Sequence, residues 1–495
     1  MVFFTGLRFD LSAIAFSNAL LFVVICFPLF TQVRRVSVFL SALYVLINAP
    51  LFLLNFIDIG YFPFTQKRIT ADFFQMAAMG DDVQNMLPSL FKDYWYLLLL
   101  FIGMLWLNFY LIRKISSSLN QSGRVKGSWV LFTVVILLLF LFARGGLQYK
   151  PINILSAAQN NKTENTSAVL NTTFSVIKTI GKEELKHIDL TDIPDPTFYF
   201  NPIKNAGANL PFRKMNVVII IMESFSKEYI GYFNDGKGYT PFLDSLALHG
   251  LMCLDAYANG KKSIEGIPAI VSGIPALMTN PYISGSYNGN KINSIASLLK
   301  PFGYQSAFFH GGNNGTMGFD NFSKMAGYDY YIGRNEYGNA NYDGTWGVYD
   351  GPFMQFFCQR LNEFSEPFVT TFFSLSSHHP YAIPDSLTSQ LPKGDQPIYQ
   401  ALSYADYSLR QFFNCAQRQS WFNQTIFVIT ADHTGPSFNS KYQSRTGIYA
   451  IPILYYIPSD STFKGQYAST TQQIDIVPTI LDYMHYPEKY KSFGN

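Results

Sequence analysis

Charge is scarce in this chain. Only 14 % of its 495 residues are Asp, Glu, Lys or Arg, and the formal net charge is +3. So small an excess gives no basic face for nucleic acid, and so low a charged fraction is unusual for a wholly water-soluble globule. Cysteine is scarce as well. Cys26, Cys253, Cys358 and Cys415 are the full set, and no two stand at the spacing of a zinc or thiol-redox motif. Cys26 lies in an apolar run, so at most one pair can form among the other three. The expectation is of isolated buried thiols.

Apolar and aromatic residues are abundant, with 46 Phe and 32 Tyr. They are unevenly placed. Four long apolar segments fall within the first 150 residues, roughly Leu11 to Phe30, Val36 to Ile57, Tyr94 to Ile112 and Trp129 to Phe142. Most approach the ~20 residues that cross ~30 Å of hydrocarbon. Basic residues set their orientation. Arg34 and Arg35 separate the first two segments, and Arg113, Lys114, Arg124 and Lys126 separate the last two. Both loops belong on the cytoplasmic side. The loop from Gly60 to Asp93, and everything after the fourth segment, then lie outside. Lys67 and Arg68 in that outer loop run against the rule. The first segment lacks the charged flank and small-residue cleavage site of a signal peptide. Asp10 and Asp58, near span ends, are expected at the interface, and few internal charges argue against a transport path.

Three regions follow: a multi-span helical domain over 1–149, an extracytoplasmic connector over 150–214 and a soluble domain over 215–495. In the connector, Asn160 to Thr163 and the Ser/Thr-rich stretch to Thr173 read as a surface linker. Phe174 to His187 is expected as a short amphipathic helix on the membrane surface, and Pro194, Pro196 and Pro202 punctuate an extended stretch.

From Met215 the pattern changes. Asn216 to Met222 is a continuous β-branched run, the signature of a strand buried on both faces. Gln305 to Phe309, Phe368 to Leu375 and Thr425 to Thr430 repeat it. Helical stretches lie between, at Thr240 to His249, Ile292 to Leu299 and Tyr399 to Gln417. This alternation predicts a mostly parallel α/β sheet, in which chemistry gathers at the carboxyl ends of the strands. The residues at those ends are telling: Glu223, then His310-Gly311-Gly312, then Ser377-His378-His379-Pro380, then Asp432-His433. Carboxylates and an imidazole delivered by separate strands can assemble a metal site. A hydroxyl nucleophile is offered by Ser263, in Gly260-Lys261-Lys262-Ser263-Ile264-Glu265-Gly266. It sits where an apolar helix starts, and the N–H groups there favour a phosphate oxyanion. Taken singly, each of these residues is more often structural than catalytic. The set in this order is far more specific.

These motifs resemble the lipoteichoic acid synthase-like group of the alkaline phosphatase/sulfatase superfamily. The likeness runs through Met222-Glu223-Ser224, Gly260 to Ser263, Phe309-His310-Gly311, Ser377 to Pro380 and Thr430 to Thr434. Ser263 to Pro268 also fits the nucleophile block of the related phosphoethanolamine transferases. The resemblance implies a transmembrane bundle followed by a sulfatase-like α/β domain. It implies one divalent metal, manganese first and zinc or magnesium compatible, held by Glu223, Ser263, Asp432 and His433. Ser263 would be the nucleophile. His378 would contact the phosphoryl group or leaving oxygen, and His310 would lie on the substrate side. Asp343 and Trp346 would line the acceptor pocket.

The implied reaction moves a phosphoglycerol or phosphoethanolamine head group from a membrane phospholipid to a hydroxyl of an envelope glycan or lipid. It would take place at the bacterial cytoplasmic membrane, with the catalytic domain outside. A phosphodiesterase or phosphatase using water, and a non-catalytic sensor, are the alternatives. The chain departs from the pattern in having serine where the closest synthases have threonine. Met317 and Phe319 also stand where some synthases place a tryptophan and an arginine, which leaves the head group open. Ser263 is followed by Ile-Glu-Gly rather than x-Pro-x-Arg, which disfavours a formylglycine sulfatase. The early first span and the ending at Phe493-Gly494-Asn495 lead to the expectation that the chain is part of a longer one.

Overall fold

A computed structural model describes residues 2–28, 34–65, 68–77, 82–119, 128–148, 151–152, 156–157, 166–181, 200–206, 210–285 and 292–495. The chain forms two compact units, 1–73 with 90–182 and 74–89 with 183–495.

The first unit is built on long apolar helices, Val2–Cys26, Arg34–Thr65, Asp82–Leu119 and Ser128–Arg144. Three of them contain stretches long and apolar enough to cross a membrane: Phe3–Cys26, Phe39–Thr65 and Phe91–Lys114. The fourth, at 17 residues, is shorter. The first helix begins well before the expected Leu11. Polar side chains pack inward here. The amides of Asn18 and Asn48 bond reciprocally, at 3.0 and 2.6 Å.

Asp58, near a span end, is fully buried within the protein. It pairs with Arg68 at 2.6 Å and accepts hydrogen bonds from the Ile69 N–H and the Thr172 hydroxyl. Asp10 accepts from the Asn171 amide. The helix expected at Phe174 runs over Thr172–Thr179 and packs against its neighbours in this unit. Phe174 is buried edge-on against Phe9. The continuation to His187, the Asn160 to Thr163 linker, Pro194 and Pro196 fall outside the described residues.

Among the described residues, the second unit carries ten strands. They are β1 (Ile203–Asn205), β2 (Asn216–Met222), β3 (Leu251–Tyr257), β4 (Gln305–His310), β5 (Tyr330–Ile332), β6 (Phe368–Phe373), β7 (Thr425–Ala431), β8 (Ile453–Tyr456), β9 (Gly465–Gln472) and β10 (Lys489–Lys491). β1 and β10 form a small antiparallel ribbon. The other eight make one sheet in the order β5-β4-β6-β2-β7-β8-β3-β9. β8 runs antiparallel to both its neighbours, and the remaining pairs are parallel.

The four sequence-predicted strands are the contiguous centre, β4-β6-β2-β7. Every residue of β2, β6 and β7 is buried, as expected of strands covered by helices on both faces. The isolated-thiol expectation is corrected. Cys358, on the helix Asp350–Leu361, is disulfide-bonded to Cys415, on the helix Pro397–Ala416. Those two helices pack through Phe357 and Phe412, stacked at 5.1 Å. Only a tertiary contact of this kind could reveal a pairing across 57 residues.

Candidate active site

Parallel pairing in register carries the ends of β2 and β7 to the same level, with Met222 opposite Ala431. Glu223 and Asp432 therefore emerge side by side. Ser224, next along, holds a left-handed backbone with φ 59°, a conformation a non-glycine residue adopts at a cost. That turn lets its N–H donate to Asp432 Oδ1 at 3.0 Å and its hydroxyl donate to Glu223 Oε1 at 2.6 Å.

His433 completes the group. Its Nδ1 lies 2.9 Å from the Thr434 carbonyl. A carbonyl only accepts, so Nδ1 carries the proton and Nε2 turns to the carboxylates. Nε2 is 3.1 Å from Asp432 Oδ2 and 3.7 Å from Glu223 Oε1. One ligand atom from each of the three residues lies within 4.8 Å of the others.

Ser263 arrives from another direction, as the first residue of the helix Ser263–Ser272. Its Oγ is 3.5 Å from His433 Nε2. Gly266 makes this possible, because a Cβ there would lie 2.1 Å from the Asp432 carbonyl oxygen. The helix can touch the end of β7 only where it has no side chain. Lys261 points elsewhere. It is buried and donates from Nζ to Thr434 Oγ1 and the Ile448 carbonyl, each at 2.7 Å. Burial lowers it to about 8.

Burial, and then the neighbouring Asp432, push Glu223 well above the usual carboxylate range. Asp432 Oδ2 is buried without a hydrogen-bond partner. Two buried carboxylates, an imidazole nitrogen and a serine hydroxyl facing one another form an oxygen-rich donor set that fits a divalent cation.

His378 and Trp346 form a second group. Their rings meet edge-on at 4.2 Å, and the Trp346 indole N–H donates to the His379 carbonyl at 2.7 Å. His378 Nδ1 also lies against that carbonyl, at 2.9 Å. Loss of hydration lowers His378 to about 4. Asp343 lies in the loop that leads to Trp346. Its Oδ1 accepts the N–H groups of Thr345, Trp346 and Gly347, and so shapes the loop that presents Trp346. His310 is buried, stacked at 4.8 Å on Phe373, with Nδ1 on the Phe373 carbonyl. Its Nε2 is buried without a partner, and burial lowers the ring to about 4.

Sequence reasoning missed Asp350. It is buried and accepts the N–H groups of Leu375 and Ser376, at 2.8 and 3.0 Å. In the same segment, Ser374 Oγ accepts the Glu223 N–H and Ser377 Oγ donates to the Glu223 carbonyl. Burial raises Asp350 to about 7. An aspartate that caps a distant loop has no local signature.

Comparison with known proteins places this geometry. The profile of the family described as Sulfatase matches residues 215–486, more than half of the chain. The chain belongs to the sulfatase family. This sulfatase-family chain is 30 % identical over 274 residues to lipoteichoic acid synthase 2 of Bacillus subtilis (strain 168), covering 51 % of this chain and 40 % of that one. It is 25 % identical over 317 residues to phosphoglycerol transferase I of Escherichia coli O6:K15:H31, covering 58 % and 39 %. It thus spans about two fifths of the length of these curated relatives, one a synthase and the other a transferase by name.

Among solved structures, a protein of the alkaline phosphatase superfamily from Vibrio parahaemolyticus superposes with a TM-score of 0.53 at 27 % identity, over 59 % of this chain and 72 % of that one. The lipoteichoic acid synthase LtaP of Listeria monocytogenes superposes at 0.52 and 20 %, over 59 % and 76 %, which speaks to the fold.

Proposed function

We propose that this sulfatase-family protein transfers a phosphoryl-linked head group, phosphoglycerol or phosphoethanolamine, from a membrane phospholipid to a hydroxyl of an envelope glycan or lipid. The observation that carries the reading is the convergence of Ser263 Oγ, at a helix N-terminus, on the Glu223, Asp432 and His433 cluster. The names of the lipoteichoic acid synthase and the phosphoglycerol transferase it resembles support the reaction class.

Glu223, Asp432, His433 and Ser263 would hold one divalent ion, manganese in our reading, with zinc and magnesium compatible. When bound, such an ion stabilises charge on phosphoryl oxygens and acidifies a hydroxyl beside it. Ser263 Oγ attacks phosphorus and the bond to the diacylglycerol oxygen breaks, leaving the head group esterified to Ser263. The acceptor hydroxyl then attacks the same phosphorus and frees Ser263. In the first helical turn the Glu265 N–H is spent on the Lys262 carbonyl, so the N–H groups of Ser263 and Ile264 are the ones that would stabilise the developing oxyanion. His378 and Trp346 flank the phosphoryl group. His310 offers its unpartnered Nε2 to a substrate hydroxyl.

The helices over 1–149 serve as a multi-span anchor, 150–214 as connector and 215–495 as the catalytic domain, outside the cytoplasm. The basic loops support that placement. The Cys358–Cys415 bridge supports it independently, because structural disulfides persist in oxidising compartments.

Ser263→Ala is the test. Diacylglycerol release from phospholipid vesicles should fall by at least about 10³-fold. Retained release would overturn the nucleophile assignment. A chase with labelled phospholipid, followed by mass spectrometry of the Ser263 peptide and of the products, identifies the group transferred. Head group found only free in solution would instead favour a hydrolase.

A further inference from the structure

Gln473 has no part in the chemistry described so far. Its side chain is completely buried, in the turn between β9 and the helix Ile476–Tyr483. Nε2 donates to the carbonyls of Ala431 and Asp432, each at 2.7 Å. Oε1 accepts the N–H of Asn259 at 2.8 Å. Asn259 answers with its own side chain. Its Oδ1 accepts the Ile474 N–H at 3.1 Å and its Nδ2 donates to Gln472 Oε1 at 2.7 Å.

Both amide protons of Gln473 and its oxygen are therefore committed, and they join two separate segments. One is the approach to Ser263, four residues ahead of it. The other is the end of β7 that bears Asp432 and His433. The Asp432 carbonyl held by Gln473 is the same atom that faces Gly266 of the nucleophile helix.

We propose that Gln473 is a positioning residue that sets the separation between Ser263 and the Asp432–His433 pair. The inference rests on the reading of Ser263 as nucleophile and of that pair as metal-holding. The argument is one of satisfaction. Replacing a fully matched buried amide strands two carbonyls and an N–H, and the cheapest way to rehydrate them is for the two segments to part. A displacement of about 1 Å between nucleophile and ligands costs about 10²-fold in rate, and loss of a group that orients metal ligands costs about 10–100-fold in metal affinity or activity.

The test uses Gln473→Met in the full chain, purified in detergent. Manganese binding is measured by calorimetric titration, and diacylglycerol release is measured as kcat and KM. We expect manganese affinity to fall about 10-fold or more and kcat to fall about 10–100-fold. The KM for phospholipid should stay within about threefold. A folded variant whose manganese affinity or kcat stays within about twofold of wild type overturns the proposal, since a merely structural role lowers the melting temperature and leaves both unmoved. If Gln473→Met fails to fold, Asn259→Ala keeps the N–H that Gln473 accepts but removes the side-chain bonds to Gln472 and Ile474, so it loosens the same turn from the approach to Ser263 and is judged by the same two readings. Ser263→Ala, run in parallel, separates the layers. Wild-type diacylglycerol release there overturns the underlying reading, whereas unchanged manganese affinity in Gln473→Met overturns only this one.

Discussion

The two units bury opposite things. In the helical unit the outward residues are apolar, among them Leu99, Trp106, Val130 and Phe140, while Ser12, Asn18, Asn48 and Asp58 are enclosed. In the sheet unit the enclosed residues are the β-branched and aromatic runs of β2, β6 and β7. Its long edge strand β9 is polar and exposed. The difference follows from the solvent each unit is built for. Hydrocarbon gives an apolar side chain no reason to leave it, so polar pairing holds helices together. Water drives apolar surface inward, and polar groups enter mostly paired, with site atoms such as Asp432 Oδ2 and His310 Nε2 as exceptions.

Three substitutions would break or sharpen that contrast. The largest effect is expected at Asp58, the buried partner of Arg68. Asp58→Ala should destabilise the helical unit by about 3 kcal/mol, the lower end for a broken buried pair because Arg68 keeps some solvent access. Thermal unfolding of the detergent-solubilised protein reads this. No loss of stability would mean that the polar interior is not what holds the helices.

The next effect, smaller per pH unit, is a pH slope in the sheet unit. Asp406 is buried and accepts the N–H groups of Phe242 and Leu243, and burial raises it to about 7. A carboxyl raised in the folded state binds its proton more tightly there than in the unfolded chain. Asp406 therefore adds stability as pH falls from about 7 toward 4, with a slope of at most about 1.4 kcal/mol per pH unit. In Asp406→Asn that contribution should vanish, so the variant's melting temperature should depend less on pH across this window. Identical pH profiles would refute the assignment.

The smallest effect is expected at Trp106, exposed and stacked on Tyr110 at 5.8 Å. Trp106→Ala should shift stability in lipid by less than about 0.5 kcal/mol, whereas a ring of that size removed from the sheet core would cost about 3–5 kcal/mol. A large loss would show that Trp106 packs against protein rather than lipid.

The same contrast explains what could be read from the sequence. β2, β4, β6 and β7 announce themselves because a strand buried on both faces must be continuously apolar. β3 mixes Asp255 into its run, and β9 reads Gly-Gln-Tyr-Ala-Ser-Thr-Thr-Gln. Neither has a periodic signature, although they finish the sheet. Glu223, Asp432, His433 and Ser263 were legible because each follows or begins a recognisable element, and the structure brings them together. Asp350, Gln473 and the Cys358–Cys415 bridge were not. Their partners are backbone atoms or side chains far along the chain, set by packing rather than by any local pattern. Asp343 was legible as a notable residue, but its three backbone contacts could not be foreseen.

Gly266 sets a limit on how this scaffold can be diversified. The Trp346 and His378 rings meet edge-on, and only their flexible side chains have to shift to make room for a changed neighbour. Position 266 has no such latitude. Any side chain would collide with the Asp432 backbone before it reached another side chain, and no single compensating replacement elsewhere can shrink a main-chain carbonyl. Selection for new activities should leave that position untouched in every survivor, whatever changes around it.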